Sequence, residues 1–237
     1  MPASSDLPVT ERTRHRRGRE KGSTDRRDLM DILAAGVICH LGVVLDSDPM
    51  VLPTVYGLAG DTLYLHGSVA SRSLVRAPQT TICVTVTHVD GLVLARSVFE
   101  HAVNYRSAMI YGTPRLVTDP EQKLAGLRSI SEVPGQWDYA RRPSKKELAQ
   151  TSLLALALDE ASVKIRTGPP DDGDSPDAAL GIWAGVLPLA AAWQPPVPDP
   201  ALPATIPLPP HIAALARRPA GTSRAPGGSA VDAVQHL

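Results

Sequence analysis

The sequence predicts a mainly β chain with peripheral helices, folded as a small closed or split barrel of six or seven antiparallel strands. Three observations carry that prediction. Apolar residues in the middle of the chain recur with a period near two. The runs are rich in β-branched residues and are separated by short turn signals, Asp46-Ser47-Asp48-Pro49 and Asp90-Gly91, of the kind that join antiparallel neighbours. Helical spacing is confined to a few blocks between some of the strands.

In chain order, residues 1–27 hold eight basic side chains, six of them Arg12, Arg14, Arg16, Arg17, Arg19 and Lys21, against four acidic ones and almost no apolar residues. Such a segment lacks the surface to join a core, so it reads as a disordered Arg-rich arm. Asp28 then caps a short helix whose apolar residues Leu29, Ile32 and Leu33 keep helical spacing as far as Gly36. Val37–Leu45 and Met50–Gly57 read as a hairpin across four turn residues. Gly60-Asp61 turns the chain into a strand at Thr62–His66, and Thr80–His88 is the next strong run. Asp90-Gly91 predicts a turn before Leu92–Ser97, and Tyr105–Val117 is a long strand with Gly112-Thr113-Pro114 as a bulge or bend. Asp119–Ser131 is helical, with a capping Asp, Pro120 in the first turn and Leu124, Leu127 and Ile130 near a spacing of three. Leu148 closes a further short helix, and Leu153–Arg166 alternates as one last long strand.

Beyond it the composition changes: residues 168–237 contain 14 of the 23 prolines. Ile182–Leu189 and the apolar prolines up to Ile212 are too hydrophobic for a free linker. The organisation is therefore an arm (1–27), a barrel domain (28–167), a proline-rich strap packed on the core with a short helix at His211–Arg217 (168–218), and a disordered tail (219–237).

Composition excludes several classes of function. Lys+Arg and Asp+Glu are equal at 24 each, so no basic field covers the whole chain for nucleic acid. Aromatic residues are only 4%, with Phe99 the one Phe, which leaves little for base stacking. The longest apolar stretch, Ile38–Leu45, is interrupted by His40 and falls far short of the roughly 18–20 residues that span a bilayer. The Arg-rich start has no apolar signal region, which points to the cytoplasm. Cys39 and Cys83 each sit in an apolar β-like run and read as small buried side chains, not as a disulfide or metal knuckle. No P-loop, nucleophile elbow or dinucleotide fingerprint follows a strand.

Chemistry concentrates in two stretches. Leu63-Tyr64-Leu65-His66-Gly67-Ser68-Val69-Ala70-Ser71-Arg72-Ser73-Leu74 runs from a strand through small residues into a helix. Phosphate sites are built this way, from outward N–H groups, the hydroxyls of Ser68 and Ser71, and the planar fork of Arg72; a capped helix with a surface arginine has the same pattern. The second stretch, Asn104-Tyr105-Arg106-Ser107, places an Arg and a Ser at the start of a strand.

Together with Cys39-His40-Leu41-Gly42, Pro53-Thr54-Val55-Tyr56 and Val84-Thr85-Val86-Thr87, these segments resemble the flavin-binding split-barrel family related to pyridoxamine 5′-phosphate oxidase, in particular its nitroimidazole-resistance-protein-like subgroup. The resemblance spans about Asp28 to Gly168 and extends through Trp183-Ala184-Gly185-Val186-Leu187-Pro188. It implies an FMN-binding split β-barrel, a homodimer with FMN at the subunit interface, and an FMN-dependent oxidoreductase acting on a small organic substrate. By position, Ser71 and Arg72 would hold the flavin phosphate, His66, Ser68 and Ala70 would line the cofactor, and Val84 and Thr85 would follow the isoalloxazine edge. Tyr105, Arg106 and Ser107 are further cofactor-binding candidates, and His66 is the residue placed to face substrate as a neutral donor or proton source. The chain departs from the true oxidase in lacking a recognisable basic set for the substrate's phosphate, and its Ser131–Gly135 segment is short. Three other readings share the barrel: a flavin-binding or sensing module with little turnover, a haem site using His40, His66, His88 or His101, and a deazaflavin in place of FMN.

Overall fold

The computed structural model of the chain describes residues 6–131 and 133–218. Its strands are β1 (Gly22–Ser23), β2 (Ile38–Leu45), β3 (Asp48–Ala59), β4 (Thr62–Ser68), β5 (Ile82–Leu94), β6 (Ala102–Gly112), β7 (Arg115–Leu116), β8 (Thr151–Ala157), β9 (Glu160–Arg166) and β10 (Gly185–Pro188). The helices are α1 (Arg26–Ala35), α2 (Arg72–Arg76), α3 (Pro120–Ser131), α4 (Gln136–Tyr139), α5 (Lys145–Ala149) and α6 (Pro210–Ala216).

The strands follow the order β1-β9-β6-β5-β2-β3-β4-β8-β7, with β10 added to β5, and every pairing is antiparallel. The long β3 pairs with β2 through residues 48–55 and with β4 through residues 56–59, so it hands the sheet from one half to the other. Strands β8 and β9 lie far apart in this order, yet only Leu158 and Asp159 join them. The three steps from Ala157 to Glu160 span at most about 11 Å, so the sheet must curl until those strand ends come close without pairing. The result is a split barrel.

Alternation decides what fills it. Cys39, Leu41 and Val43 of β2, Leu63 and Leu65 of β4, Ile82, Val84 and Val86 of β5, Ala108 and Ile110 of β6 and Val163 of β9 point into one buried cluster. Helix α1 closes one end of it. Asp25 caps that helix by accepting from the Arg27 N–H at 2.8 Å, and its buried stripe of Leu29, Ile32 and Leu33 joins the barrel core. The Tyr56 hydroxyl donates to the Leu33 carbonyl at 2.5 Å, fastening the helix end to β3. Outside the barrel, α3 covers a second cluster of Tyr64, Val117, Leu127, Leu153 and Ala155. The approach is close at Gly57, where an added Cβ would stand 2.2 Å from the Ser129 hydroxyl and 2.5 Å from the Ile130 nitrogen.

Several expected elements take another form. The hairpin of β2 and β3 has a two-residue turn, Asp46-Ser47, with φ of 50° and 75°, because two left-handed residues match the strand twist; Asp48 and Pro49 therefore already belong to β3. Asp90-Gly91 is a bulge inside a continuous β5, the register shifting between Val89 and Gly91 opposite β6. Leu153–Arg166 divides at Leu158-Asp159 into two strands on different neighbours. The arm is not disordered over residues 6–27. β1 pairs with β9, the Thr10 hydroxyl donates to Glu160 at 2.6 Å, the Arg12 guanidinium pairs with the same carboxylate at 2.5 Å, and Leu7 is buried. An unpaired β9 edge is a template that a neighbouring segment covers, and the arm is that segment. The strap packs only at its ends, where Asp172 is buried against Arg96, β10 pairs with β5 and His211 bonds Gln136; residues 187–207 between them are exposed throughout. The expected tail at 219–237 lies outside the described residues.

Candidate functional site

The stretch singled out in the sequence forms the end of β4, a tight turn and the short α2. The Ser71 N–H donates to the Ser68 carbonyl at 2.9 Å and the Ala70 N–H to the Ser68 hydroxyl at 3.2 Å. Helix α2 can approach β4 because position 67 has no side chain: a Cβ there would stand 2.6 Å from Leu74 Cδ1. This holds Ser71 and Arg72 at the surface. Ser71 exchanges a hydrogen bond with the Ser73 hydroxyl at 3.0 Å, and the exposed Arg72 forms an ion pair with Asp46 in the β2–β3 turn. Arg76 lies 3.8 Å from the same carboxylate. The sequence reading missed Asp46; a turn residue gives no signal of a cation brought to it from the next helix.

Register places the remaining candidates. Thr85 stands opposite His40 and Met109 on the outer face of the sheet, with Tyr105 and Ser107 on the same face of β6, opposite Val89 and Thr87. Val84 has the opposite parity and its side chain is fully buried in the barrel core, which leaves only its backbone to face a ring outside. Arg106 is likewise set apart from Tyr105 and Ser107. It pairs across with His88 and grips the bulge residue Asp90 through two bonds of 2.8 Å. Those bonds hold the Asp90 carboxyl below the usual range, and they make Arg106 the clamp of the bulge. The structure thus gathers His66, Ser68, Ala70, Ser71 and Arg72 at one turn, and leaves Thr85, Tyr105 and Ser107 on a sheet face separated from that turn by β2 and β3.

The histidines separate by partner. His88 Nε2 meets the Ile32 carbonyl at 2.9 Å and His101 Nε2 the Ala95 carbonyl at 3.2 Å, so both rings are held by backbone. His40 is exposed on the outer face. His66 differs from these: its Nδ1 is buried and has no hydrogen-bond partner, and burial depresses its pKa below the ordinary imidazole value. A buried nitrogen without a partner costs about 1–3 kcal/mol. On the outer face of the β2–β3 hairpin, Ile38, Val44 and Val51 are roughly half exposed or more at 47%, 52% and 65%.

Among known proteins, the family described as pyridoxamine 5′-phosphate oxidase matches residues 25–165. The flavocytochrome of Azotobacter vinelandii is 36% identical, with a TM-score of 0.84, over 89% of this chain and 98% of its own. An FAD- and haem-binding protein from Mycobacterium smegmatis is 38% identical, with a TM-score of 0.78, over 82% of this chain and 97% of its own. No curated protein sequence matches the chain.

Proposed function

Because the chain belongs to the pyridoxamine 5′-phosphate oxidase family, we propose that it is a flavin-binding oxidoreductase, working as a pair of copies, in which a haem accompanies the flavin and a small organic molecule exchanges electrons with them. The observation that carries this reading is His66, a neutral ring with an unpartnered buried nitrogen beside the Ser68–Arg72 turn. Relatives named for flavin and haem together, 36% and 38% identical over most of the chain, support it. A flavin supplies hydride or single-electron chemistry and a haem single-electron chemistry.

The chain's own residues have defined tasks. Arg72 exchanges Asp46 for a flavin phosphate, an anion that accepts its fork through two oxygens, and the Ser71 hydroxyl turns from Ser73 to the same group. One such cradle suits the single phosphate of FMN, which we take as the flavin; Arg76, on the same carboxylate, is the cation that a second phosphate of FAD would recruit. Among the described residues His15, His88, His101 and His211 are bonded to backbone or side-chain oxygens, so His66 and His40 are the described imidazoles that would be open to a haem iron. His66, kept neutral at pH 7 by burial, offers a nitrogen in the form that binds metal or donates a hydrogen bond. The apolar outer face of the β2–β3 hairpin, with Ile38, Val44 and Val51, is covered in the pair, which excludes water there.

Purified protein tests this directly. The expected result is a flavin doublet and a Soret band in the visible spectrum, FMN among heat-released material by mass, bleaching on anaerobic addition of a nicotinamide donor, and a sedimenting mass about twice that of the chain. Released FAD would replace FMN while preserving the rest. Flavin that stays oxidised with every donor favours the sensing reading, and a colourless protein that takes up neither flavin nor haem overturns the proposal.

A further inference from the structure

Past the barrel, the chain carries large apolar side chains that its own copy leaves bare. Between β10 and α6, Leu189, Trp193, Val197, Leu202, Ile206 and Leu208 are all exposed, Val197 to 91%. Residues 189–209 contain seven prolines and a single charge, Asp199. The span is not a loose tail. At one end β10 pairs with β5, and the Leu189 N–H donates to the Asp90 carbonyl at 3.0 Å. At the other, His211 Nε2 bonds Gln136 Oε1 at 2.9 Å and the His211 ring lies 5.3 Å from that of Tyr139. Two local turns shape the middle, where the Leu202 N–H reaches the Asp199 carbonyl and the Ile206 N–H the Pro203 carbonyl. The strap is therefore anchored twice and held in shape by its prolines. The entropy of ordering it is largely spent before it meets anything.

A second bare surface faces outward on the β2–β3 hairpin. Ile38, Val44 and Val51 lie on it, and no Asp, Glu, Lys or Arg occurs in residues 38–45 or 49–55. Neither surface offers charges for a lipid headgroup or a charged protein to read. Each chain has one strap and one such face, so two copies that exchange straps cover both surfaces and leave none to propagate, the closure of a two-fold pair. The likeness to a solved structure also runs far into the region past the barrel. Similarity to the Azotobacter flavocytochrome extends over 89% of this chain, well past the residues 25–165 matched by the family, which argues against a fitting for some partner peculiar to this protein.

We propose that the strap of each copy crosses to the second copy and packs Trp193, Val197 and Leu202 on the outer face of that copy's β2–β3 hairpin. The inference rests on the pairing of copies put forward above and adds the element that fastens it. The turn of that hairpin carries Asp46, the partner of Arg72, so each strap borders the anion-binding group of the other copy.

A full-length chain with Trp193→p-benzoylphenylalanine, irradiated and run under denaturing conditions, tests the crossing. The expected product is a covalent species of twice the chain mass, with the linked peptide mapping to residues 38–55 of the other copy. Links confined to single chains in a sample that sediments as a pair overturn the strap exchange alone. A monomeric sample overturns the pairing with it, and a link to the other copy outside residues 38–55 overturns the assigned face. In parallel, Trp193→Asp combined with Val197→Asp, both on exposed side chains, is expected to weaken the pair at least tenfold by sedimentation while monomer circular dichroism stays unchanged. An unaltered pair affinity contradicts the proposal.

Discussion

His66 carries its own pH signature. Burial holds its folded pKa below the unfolded value near 6.5, so between those two values the unfolded chain binds more protons than the folded one. Stability from this residue is complete above about pH 6.5 and falls as the pH drops toward the folded value. Denaturant melts at pH 7.5 and 5.5 should show a loss in the parent chain that His66→Gln reduces, the carboxylates contributing alike to both. Arg72 is separable by a different pair of readouts. Its ion pair with Asp46 is exposed on both sides, 74% and 59%, and such pairs contribute about 0–1 kcal/mol. Arg72→Ala should therefore leave the melting temperature within a degree or two of the parent. Charge-assisted hydrogen bonds to a bound anion contribute about 1.5–3 kcal/mol, so the same change should weaken flavin binding by roughly tenfold to a hundredfold in a fluorescence titration. Equal flavin affinity in parent and variant would remove Arg72 from the site.

At the scale of elements, two close approaches can be tested by substitution. Gly57→Ala puts a methyl group against the backbone of α3, and because backbone cannot rotate away, the helix must shift. Overpacking of this kind costs about 1–3 kcal/mol, read as a lower denaturant midpoint with an unchanged slope. The bulge in β5 depends on the Asp90–Arg106 clamp, both of whose side chains are about one-third exposed. Asp90→Asn removes the charge and should cost about 1 kcal/mol. Backbone amides of residues 89–91 should then exchange faster than those of β2, and equal protection would show that the register holds the bulge without the clamp. Sequence patterning placed these elements well where the signal was local. Helix α1 was legible from Leu29, Ile32 and Leu33, and α3 from Pro120 and its leucines. Asp90-Gly91 misled because a turn signal and a bulge signal are the same residues; cross-strand pairing decides between them.

For the whole molecule, the decisive fact is that Leu158 and Asp159 join strands lying far apart in the sheet order. That junction closes the barrel in space and leaves the seam unpaired. It also leaves the outer surface with a part covered by α3 and a part, on the β2–β3 hairpin, where Ile38, Val44 and Val51 are bare. No helix among the described residues is long and apolar enough to cross a membrane, so the bare face is not explained by a transmembrane helix. Val51→Asp, on a side chain 65% exposed, should leave a folded chain with stability within about 0.5 kcal/mol of the parent. It should sediment as a monomer and retain less flavin after gel filtration, and a variant that still sediments as a pair would move the interface elsewhere.

The sequence by itself determined the β architecture, the flanking helices, the family and the turn from His66 to Arg72, because each is written in local periodicity, capping residues or short ordered motifs. It could not say which way a side chain faces when the register is unknown. Only the tertiary structure turned Val84 inward, gave Arg106 to Asp90 and Arg72 to Asp46, laid parts of residues 10–23 on β9 and left the middle of the strap bare. Those outcomes depend on which strand lies beside which, and that is settled by contacts between residues up to 150 positions apart, such as Thr10 with Glu160.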